Sequence, residues 1–233
     1  MTRPAAAVSL PEGADKQRVV RAMFDAVAPR YDLVNRIMTF GLDRRWRRVT
    51  VAALGLPERS VVADLACGTG DLCVDLSRAG LSPLGVDLSA GMLAAAHTTA
   101  PLVRADVGRL PLPDAAVAGA TCGFALRNVI DLPAFLDEVA RVVRPGGRIA
   151  LLEVAEPTQP LLRAGHRIYF TRVVPMIGAA LSDAAAYRYL PRSVAYLPPA
   201  DRLVAAVADA GFADVERRVL WGGIVQLLVG TRA

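Results

Sequence analysis

Lysine is almost missing from this chain: Lys16 is the only one in 233 residues, so the basic charge is carried by arginine. Histidine is as scarce, with His97 and His166 far apart, and cysteine stops at Cys67, Cys73 and Cys122. Three thiols cannot pair evenly, and neither they nor the histidines stand at metal-ligand spacing. A disulfide scaffold and a structural metal site are therefore excluded. No uncharged apolar run approaches the roughly 20 residues that cross a bilayer as a helix. The longest late candidate, residues 219–230, is broken by Gly222, Gly223 and Gln226. The amino terminus lacks the charged-then-apolar layout of a signal peptide, and residues 4–11 read as a loose leader. The expected location is cytoplasmic, with a peripheral membrane position left open.

What is present suits one domain with a sizeable core. The chain is 54% hydrophobic with a mean hydropathy of +0.37, which argues against disorder, although alanine inflates the figure. The net charge of +5 is compatible with nucleic acid, an anionic membrane surface, an anionic ligand or a solvated arginine-rich surface. No zinc finger, aromatic RNA-binding strand motif or basic tail is present, so nucleic acid is not an expected partner. Arg44, Arg45, Arg47 and Arg48 around Trp46 form a basic–aromatic cluster that reads either as a membrane-facing patch or as a solvated helix face.

Hydrophobic periodicity predicts an amphipathic helix over residues 14–28 and another from Asp43, its expected N-cap, to Leu54. From Ser60 the texture changes to short apolar strands alternating with helices. Strands are expected at 61–65, 84–87, 102–104, 117–122 and 148–154, with helices at 71–78, 90–97 and 132–143 and a turn at 144–147. Such alternation implies a parallel sheet covered on both faces. The tail is expected to be helical over about residues 160–210, then to close with antiparallel strands 215–220 and 224–229 about Gly222-Gly223. The segments are therefore a helical lid at 14–55, a cofactor-binding core at 60–154, acceptor-side helices at 158–212 and closing strands at 213–232, all within one domain of 1–233.

The most informative stretch is Asp64-Leu65-Ala66-Cys67-Gly68-Thr69-Gly70. Ligands of open α/β sheets bind beyond the carboxyl ends of the strands, and Gly68 and Gly70 let a ligand lie against the backbone. Asp87 ends the next strand, where its carboxylate can accept from both ribose hydroxyls. A dinucleotide fingerprint would need a third glycine, but Cys73 stands there. Asp71 opens the following helix, where a pyrophosphate would be repelled. A ligand with a cationic amine fits better, attracted by Asp64 and Asp71, which points to S-adenosylmethionine. Asp106, before Val107, can accept from an adenine amino group, and Met92 and Leu93 can cover the ring.

Together these residues look like a class I S-adenosylmethionine-dependent methyltransferase, with a Rossmann-like α/β fold. Further segments narrow the likeness: residues 24–35 with Tyr31-Asp32, Phe124-Ala125-Leu126-Arg127-Asn128-Val129, Arg144-Pro145-Gly146-Gly147-Arg148, Tyr187-Arg188-Tyr189 and Gly222-Gly223-Ile224-Val225. The pattern resembles the ubiquinone/menaquinone C-methyltransferase family over about residues 17–232. That resemblance implies a mostly parallel seven-stranded sheet with an antiparallel final strand and helical additions. It implies cofactor contacts at Thr69, Asp87, Asp106, Val107 and the position of Gly123, where relatives carry serine. The implied acceptor is a small aromatic or prenylated quinol of demethylmenaquinol type, methylated on a ring carbon. Val154, Glu156, Arg192, Gln226 and Leu228 depart from the family pattern, which leaves a secondary-metabolite C- or O-methyltransferase as the alternative. A homodimer is left open.

Methylating a ring carbon requires a phenolate that pushes charge into the ring. Arg127 is the expected stabiliser of that phenolate, acting beside a water, because an arginine is not itself a base at neutral pH. Asn128 is expected to orient the ring oxygen or the water. Tyr187 and Tyr189 are two apart and point to different helix faces, so at most one is expected on the acceptor side, and the resemblance implies Tyr187, which stands in the family's Asp-x-x-x-Tyr spacing after Asp183. Tyr31 and Phe24 belong to the lid. His166 is a weaker candidate base, His97 is expected at a helix end, and Cys67 and Cys73 are expected as packing residues.

Overall fold

The computed structural model describes residues 11–233, so of the expected leader only Pro11 falls within it. The apolar runs of the middle third become adjacent parallel strands, because side chains on both faces must be covered. These are β1 (Val61–Leu65), β2 (Ser82–Asp87), β3 (Leu102–Arg104), β4 (Val117–Gly123) and β5 (Val143–Val154). β6 (Phe212–Leu220) and β7 (Val225–Arg232) complete a seven-stranded sheet of order β3-β2-β1-β4-β5-β7-β6, in which β7 is antiparallel to both neighbours. The strand order reverses between β1 and β4, which opens a crevice beyond their carboxyl ends.

Two apolar layers cover the sheet. On one face α6 (Leu132–Val142) and α10 (Ala200–Asp209) bury Phe135, Leu136, Val139, Leu203 and Val207. On the other, α3 (Asp43–Leu54) and α4 (Asp71–Arg78) bury Trp46, Leu54, Leu72 and Leu76. A third cluster stands apart from the sheet. Val27 of α1 (Gly13–Val27), Val34 and Met38 of α2 (Tyr31–Met38) and Met92 of α5 (Ala90–Ala94) pack with Val174 of α8 (Val174–Leu181) and Tyr187 of α9 (Ala184–Ser193). The amino-terminal and late helices thus share one core.

Several local expectations change. Asp43 is not a cap: it is the first residue of α3, is buried, and binds Thr39 and Arg47 instead of backbone amides. α5 stops at Ala94, leaving His97 beyond the helix. The turn at 144–147 is a bulge inside β5, between the pairings Val117–Val143 and Gly119–Arg148. The late helical stretch is broken. α7 (Pro160–Ile168) runs through a π turn (Tyr169–Val173) into α8, and Asp183 caps α9 by accepting from the Ala186 amide at 2.8 Å. Of the basic–aromatic cluster, Trp46 is buried and Arg47 sits among carboxylates, while Arg44, Arg45 and Arg48 are exposed, in keeping with the solvated-face reading.

Candidate functional site

β1 delivers the chain into the turn at residues 66–70, and α4 begins at once at Asp71. Gly70 has φ +86°, and a Cβ there would lie 2.6 Å from Thr98 Cγ2, so the turn requires glycine. The Gly68 amide donates to Asp87 Oδ2 and the Ser89 amide to Oδ1, each at 2.8 Å. Those two bonds fix the Asp87 carboxylate at the tip of β2, and each oxygen keeps acceptor capacity. Burial raises its pKa, against the pull of the backbone donors. Asp106 accepts from the Gly108 amide at 2.9 Å and from Gln17 Nε2 of α1 at 2.5 Å. With Met92, Val107, Gly123 and Asn128 these acids line a cavity of about 350 Å³. Leu93, expected beside Met92, does not line it.

A larger cavity of about 530 Å³ adjoins it, and Phe24, Tyr31, Ala66, Gly68, Gly123 and Phe124 border both. Its walls include Met38, Trp46, Leu152, Tyr169, Phe170 and Trp221, drawn from both ends of the chain. Trp46 meets Phe124 and Trp221 edge-on, at centroid distances of 6.0 and 6.3 Å. Phe24 meets Tyr31 the same way at 6.0 Å, so the two lid aromatics stand at the junction.

The polar end of this larger cavity is a charge network. Arg47 Nη1 lies 2.7 Å from Asp43 and 2.9 Å from Asp71, and its Nε lies 3.0 Å from Asp75. His97 bridges Asp71 at 3.3 Å and Asp32 at 3.5 Å. Asp32 accepts from the Thr69 hydroxyl at 2.6 Å, which ties α2 to the glycine turn. Asp71 is therefore partly neutralised and is not the free attractor that the sequence suggested. Asp64, fully buried between β2 and β4, accepts from Thr121 at 2.8 Å and from the Cys73 thiol at 3.4 Å. Burial pushes its pKa up to about 7. Cys73 thus donates to the acid as well as packing.

Arg127 sits in a 3₁₀ turn (Leu126–Asn128), buried, bordering the larger cavity. Its Nη1 pairs with Glu153 Oε1, its Nε donates to Ser193 Oγ at 3.2 Å, and its backbone amide donates to Glu153 Oε2 at 3.2 Å. Asn128 borders the smaller cavity and accepts from the Tyr189 hydroxyl at 3.3 Å. Tyr187 lines neither cavity. It is buried against Gly178, where a Cβ would fall 2.0 Å from its ring. The tyrosines that do face the larger cavity are Tyr31 and Tyr169. His166 borders the larger cavity too, stacked on Phe170 at 5.4 Å, and burial lowers its pKa.

Gly123, Gln226 and Leu228 acquire local reasons. A Cβ at Gly123 would lie 2.9 Å from Leu72 Cδ1, so the glycine matches this chain's Leu72. Leu228 is buried in the sheet core, and Gln226 bonds Arg217 and the Val154 carbonyl, away from both cavities. Sequence reading missed Glu153, Ser193 and Gln17. Glu153 had a usable signal: like Asp64 and Asp87, it is an acid near the carboxyl end of an apolar parallel strand.

A parallel sheet reversing at β1/β4, a glycine turn beneath a fixed strand-end acid, and an antiparallel β7 define a class I S-adenosylmethionine-dependent methyltransferase. The chain belongs to the ubiE/COQ5 methyltransferase family, whose model matches residues 12–232. It is 41% identical over 222 residues to the ubiquinone/menaquinone biosynthesis C-methyltransferase UbiE of Syntrophotalea carbinolica, covering 91% of this chain and 94% of that one. It is 42% identical over 232 residues to the demethylmenaquinone methyltransferase of Roseiflexus castenholzii, covering 96% and 97%. Among solved structures it resembles Haemonchus contortus phosphoethanolamine N-methyltransferase 2 in complex with S-adenosylmethionine. That likeness has a TM-score of 0.61 and 12% identity, over 81% of this chain and 52% of that one, and it speaks to the fold.

Proposed function

We propose that the protein methylates a ring carbon of a demethylmenaquinol-like, polyprenylated quinol. The observation that carries this is the larger cavity, walled by aromatic and aliphatic side chains and continuous with the cofactor side at Gly68, Gly123 and Tyr31. The curated relatives act, by their names, on such acceptors.

The residues present fit S-adenosylmethionine. Asp87 offers fixed acceptors for two hydroxyls, Asp106 and Val107 with Met92 suit a purine, and the turn at Gly68, Thr69 and Gly70, with Asp64 beneath it, would take the amino-acid end. When bound, the cofactor supplies a methyl group already activated on a sulfonium. The protein's own work is then positioning and charge. Tyr31 and Phe24 close the junction and exclude water from it. The acceptor hydroxyl must lose its proton for the adjacent carbon to become nucleophilic. Arg127, held rigidly by Glu153 and Ser193, presents its remaining guanidinium edge to the phenolate. Glu153 also lowers the cost of burying that cation. Asn128, steadied by Tyr189, orients the ring oxygen or a water that takes the proton.

The test is methyl transfer from radiolabelled S-adenosylmethionine to a reduced demethylmenaquinone analogue. Label in the quinol ring is expected. Calorimetrically normal cofactor binding with no transfer would refute the acceptor and favour the secondary-metabolite alternative. Arg127→Ala should lower turnover far more than cofactor affinity, and an equal loss of both would remove its catalytic role.

A further inference from the structure

Among the described residues, twelve large apolar side chains are exposed, and eight of them fall in two segments: α2 with the turn after it, and α7 to α8. Scattered exposed apolar residues need no explanation, but this concentration does. α7 buries none of its nine residues. Leu161, Ala164 and Ile168 follow helical spacing along its uncovered side, with Leu161 86% and Ile168 55% exposed. The π turn then absorbs one extra residue, so Val173 and Met176 continue the same stripe, Met176 at 70% exposure. On α2 the outward side chains are Leu33, Ile37 and, just beyond the helix, Phe40, which is 77% exposed. Phe40 contacts Tyr169 at 5.8 Å, and the Tyr169 hydroxyl donates to the Met38 carbonyl at 2.7 Å, which joins the two segments.

The charge on this face is predominantly positive. Residues 160–181 contain Arg163, Arg167 and Arg172 and no acid, and Arg36 is exposed on α2. Arg163 folds back on the Pro157 carbonyl at 2.8 Å and lies 4.0 Å from the exposed Glu156. The acid of α2, Asp32, is turned inward to Thr69 and His97. A twofold contact with a second copy would set Arg36, Arg167 and Arg172 against one another, since the nearby Glu156 already lies beside Arg163. Phe40, Leu161 and Leu162 also border the larger cavity, so the exposed apolar face runs into the apolar interior.

We propose that the face formed by α2, α7 and α8 rests on an anionic lipid bilayer, with the larger cavity opening towards the acyl region. The apolar stripe enters the interface while Arg36, Arg167 and Arg172 meet the headgroups. This face is distinct from the cluster around Trp46, for which a membrane-facing patch is one of two readings. The proposal draws its purpose from the prenylated acceptor proposed above, since a lipid-soluble tail can pass from bilayer to cavity without crossing water. Its test needs no methyl transfer.

The full-length protein is co-sedimented with vesicles of phosphatidylcholine alone and of phosphatidylcholine with an equal part of phosphatidylglycerol. Binding is expected to the anionic vesicles, with a part that salt removes and a part that it does not. Each arginine near such a surface contributes roughly fivefold to partitioning, so Arg167→Gln/Arg172→Gln should bind about 25-fold more weakly. Ile168→Ser/Met176→Ser, which lies outside both cavities, should lose about tenfold or more of the salt-resistant binding. Both variants should keep wild-type thermal unfolding and calorimetric cofactor binding. No binding to anionic vesicles, or variants that bind like wild type, would overturn the proposal. So would a dimer that Ile168→Ser/Met176→Ser converts to monomer, because a second copy would then cover the face. Vesicle binding as described without any quinol methylation would uphold this proposal and count against the acceptor reading alone.

Discussion

Glu153 offers the sharpest test of how the acceptor side is built. Its carboxylate has no solvent exposure and holds three groups: the Arg127 guanidinium, the Arg127 amide at 3.2 Å and the Val154 amide at 2.8 Å. Glu153→Ala would leave a cation that is only 6% exposed without its counter-charge. Breaking one partner from a buried pair costs about 3–5 kcal/mol. Unfolding entropy near 2.1 cal/mol/K per residue gives about 0.5 kcal/mol/K for a chain of this length, so the melting temperature should fall by about 6–10 °C. Thermal unfolding followed by circular dichroism reads this directly. Glu153→Gln keeps the shape and one acceptor but not the charge, and should fall between Ala and wild type. The double variant Arg127→Met/Glu153→Met removes both charges, and should unfold above Glu153→Ala, because an uncompensated cation is worse than an apolar pair. Additive losses in this cycle, or a drop under about 2 °C for Glu153→Ala, would refute the view that the two residues form one buried unit.

Three further outcomes follow from the geometry. Asp87→Asn removes charge-assisted acceptors worth about 1.5–3 kcal/mol, so calorimetry should show S-adenosylmethionine binding weakened by roughly 10- to 150-fold, and unchanged affinity would remove Asp87 from the site. Asp64 has a folded pKa near 7, above its ordinary value; between about pH 4 and 7 the folded state therefore holds more protons than the unfolded chain, and its contribution is lost as pH rises through that window. The cofactor-free protein should lose stability to urea from pH 5 to 7, and Asp64→Asn should flatten the decline while leaving the share due to Asp71 and Asp87, which burial raises in the same direction. Gly123→Ser should cost under about 1 kcal/mol, because the one close atom, Leu72 Cδ1, ends a flexible side chain that borders the larger cavity, and a fall in melting temperature of more than about 2 °C would show that Leu72 cannot give way.

The cofactor side was legible in the sequence because its determinants are local. A strand, its glycine turn and the helix after it occupy one stretch, 61–78, and β2 and β5 carry an acid at or near their ends while Asp106 follows β3 by two residues. Asp87 needed only that rule, and Glu153 would have been found by it. Of the expected contacts, Gly68, Asp87, Met92, Asp106, Val107 and Gly123 line the smaller cavity, whereas Asp64 and Thr69 line the larger one and Gly70 lines neither. The errors arose where a partner distant in sequence decides the outcome. Arg47 looked like a surface charge until Asp71 and Asp75 of α4 faced it. Asp43 is the local exception: its helix start is visible in the sequence, but its carboxylate turns to Thr39 and Arg47, each four residues away, instead of to backbone amides. Tyr187 fitted a sequence spacing, yet Gly178 on a neighbouring helix lets its ring sink out of the cavity. The π turn follows from no local rule, since it leads α7 into α8, whose inner face meets α2.

On the proposed reading, that difference in range also places the two halves of the reaction in different parts of the fold. The sheet alone places Asp64, Asp87 and Glu153 at its carboxyl edge, so cofactor geometry is inherited from strand register. The acceptor cavity needs α2, α7, α8 and the β6–β7 hairpin together, as Met38, Tyr169, Phe170 and Trp221 on its walls show. Its shape therefore depends on how well the third cluster packs. A change at Val34 or Val174, both buried in that cluster and neither on the cofactor cavity, should alter acceptor affinity before it alters cofactor affinity. Arg127 lies where the two parts meet: its backbone and carboxylate partner belong to the sheet, whereas Ser193 reaches it from α9. A residue held from both sides is fixed only when the late helices have docked, which makes acceptor-side closure and catalytic geometry a single event.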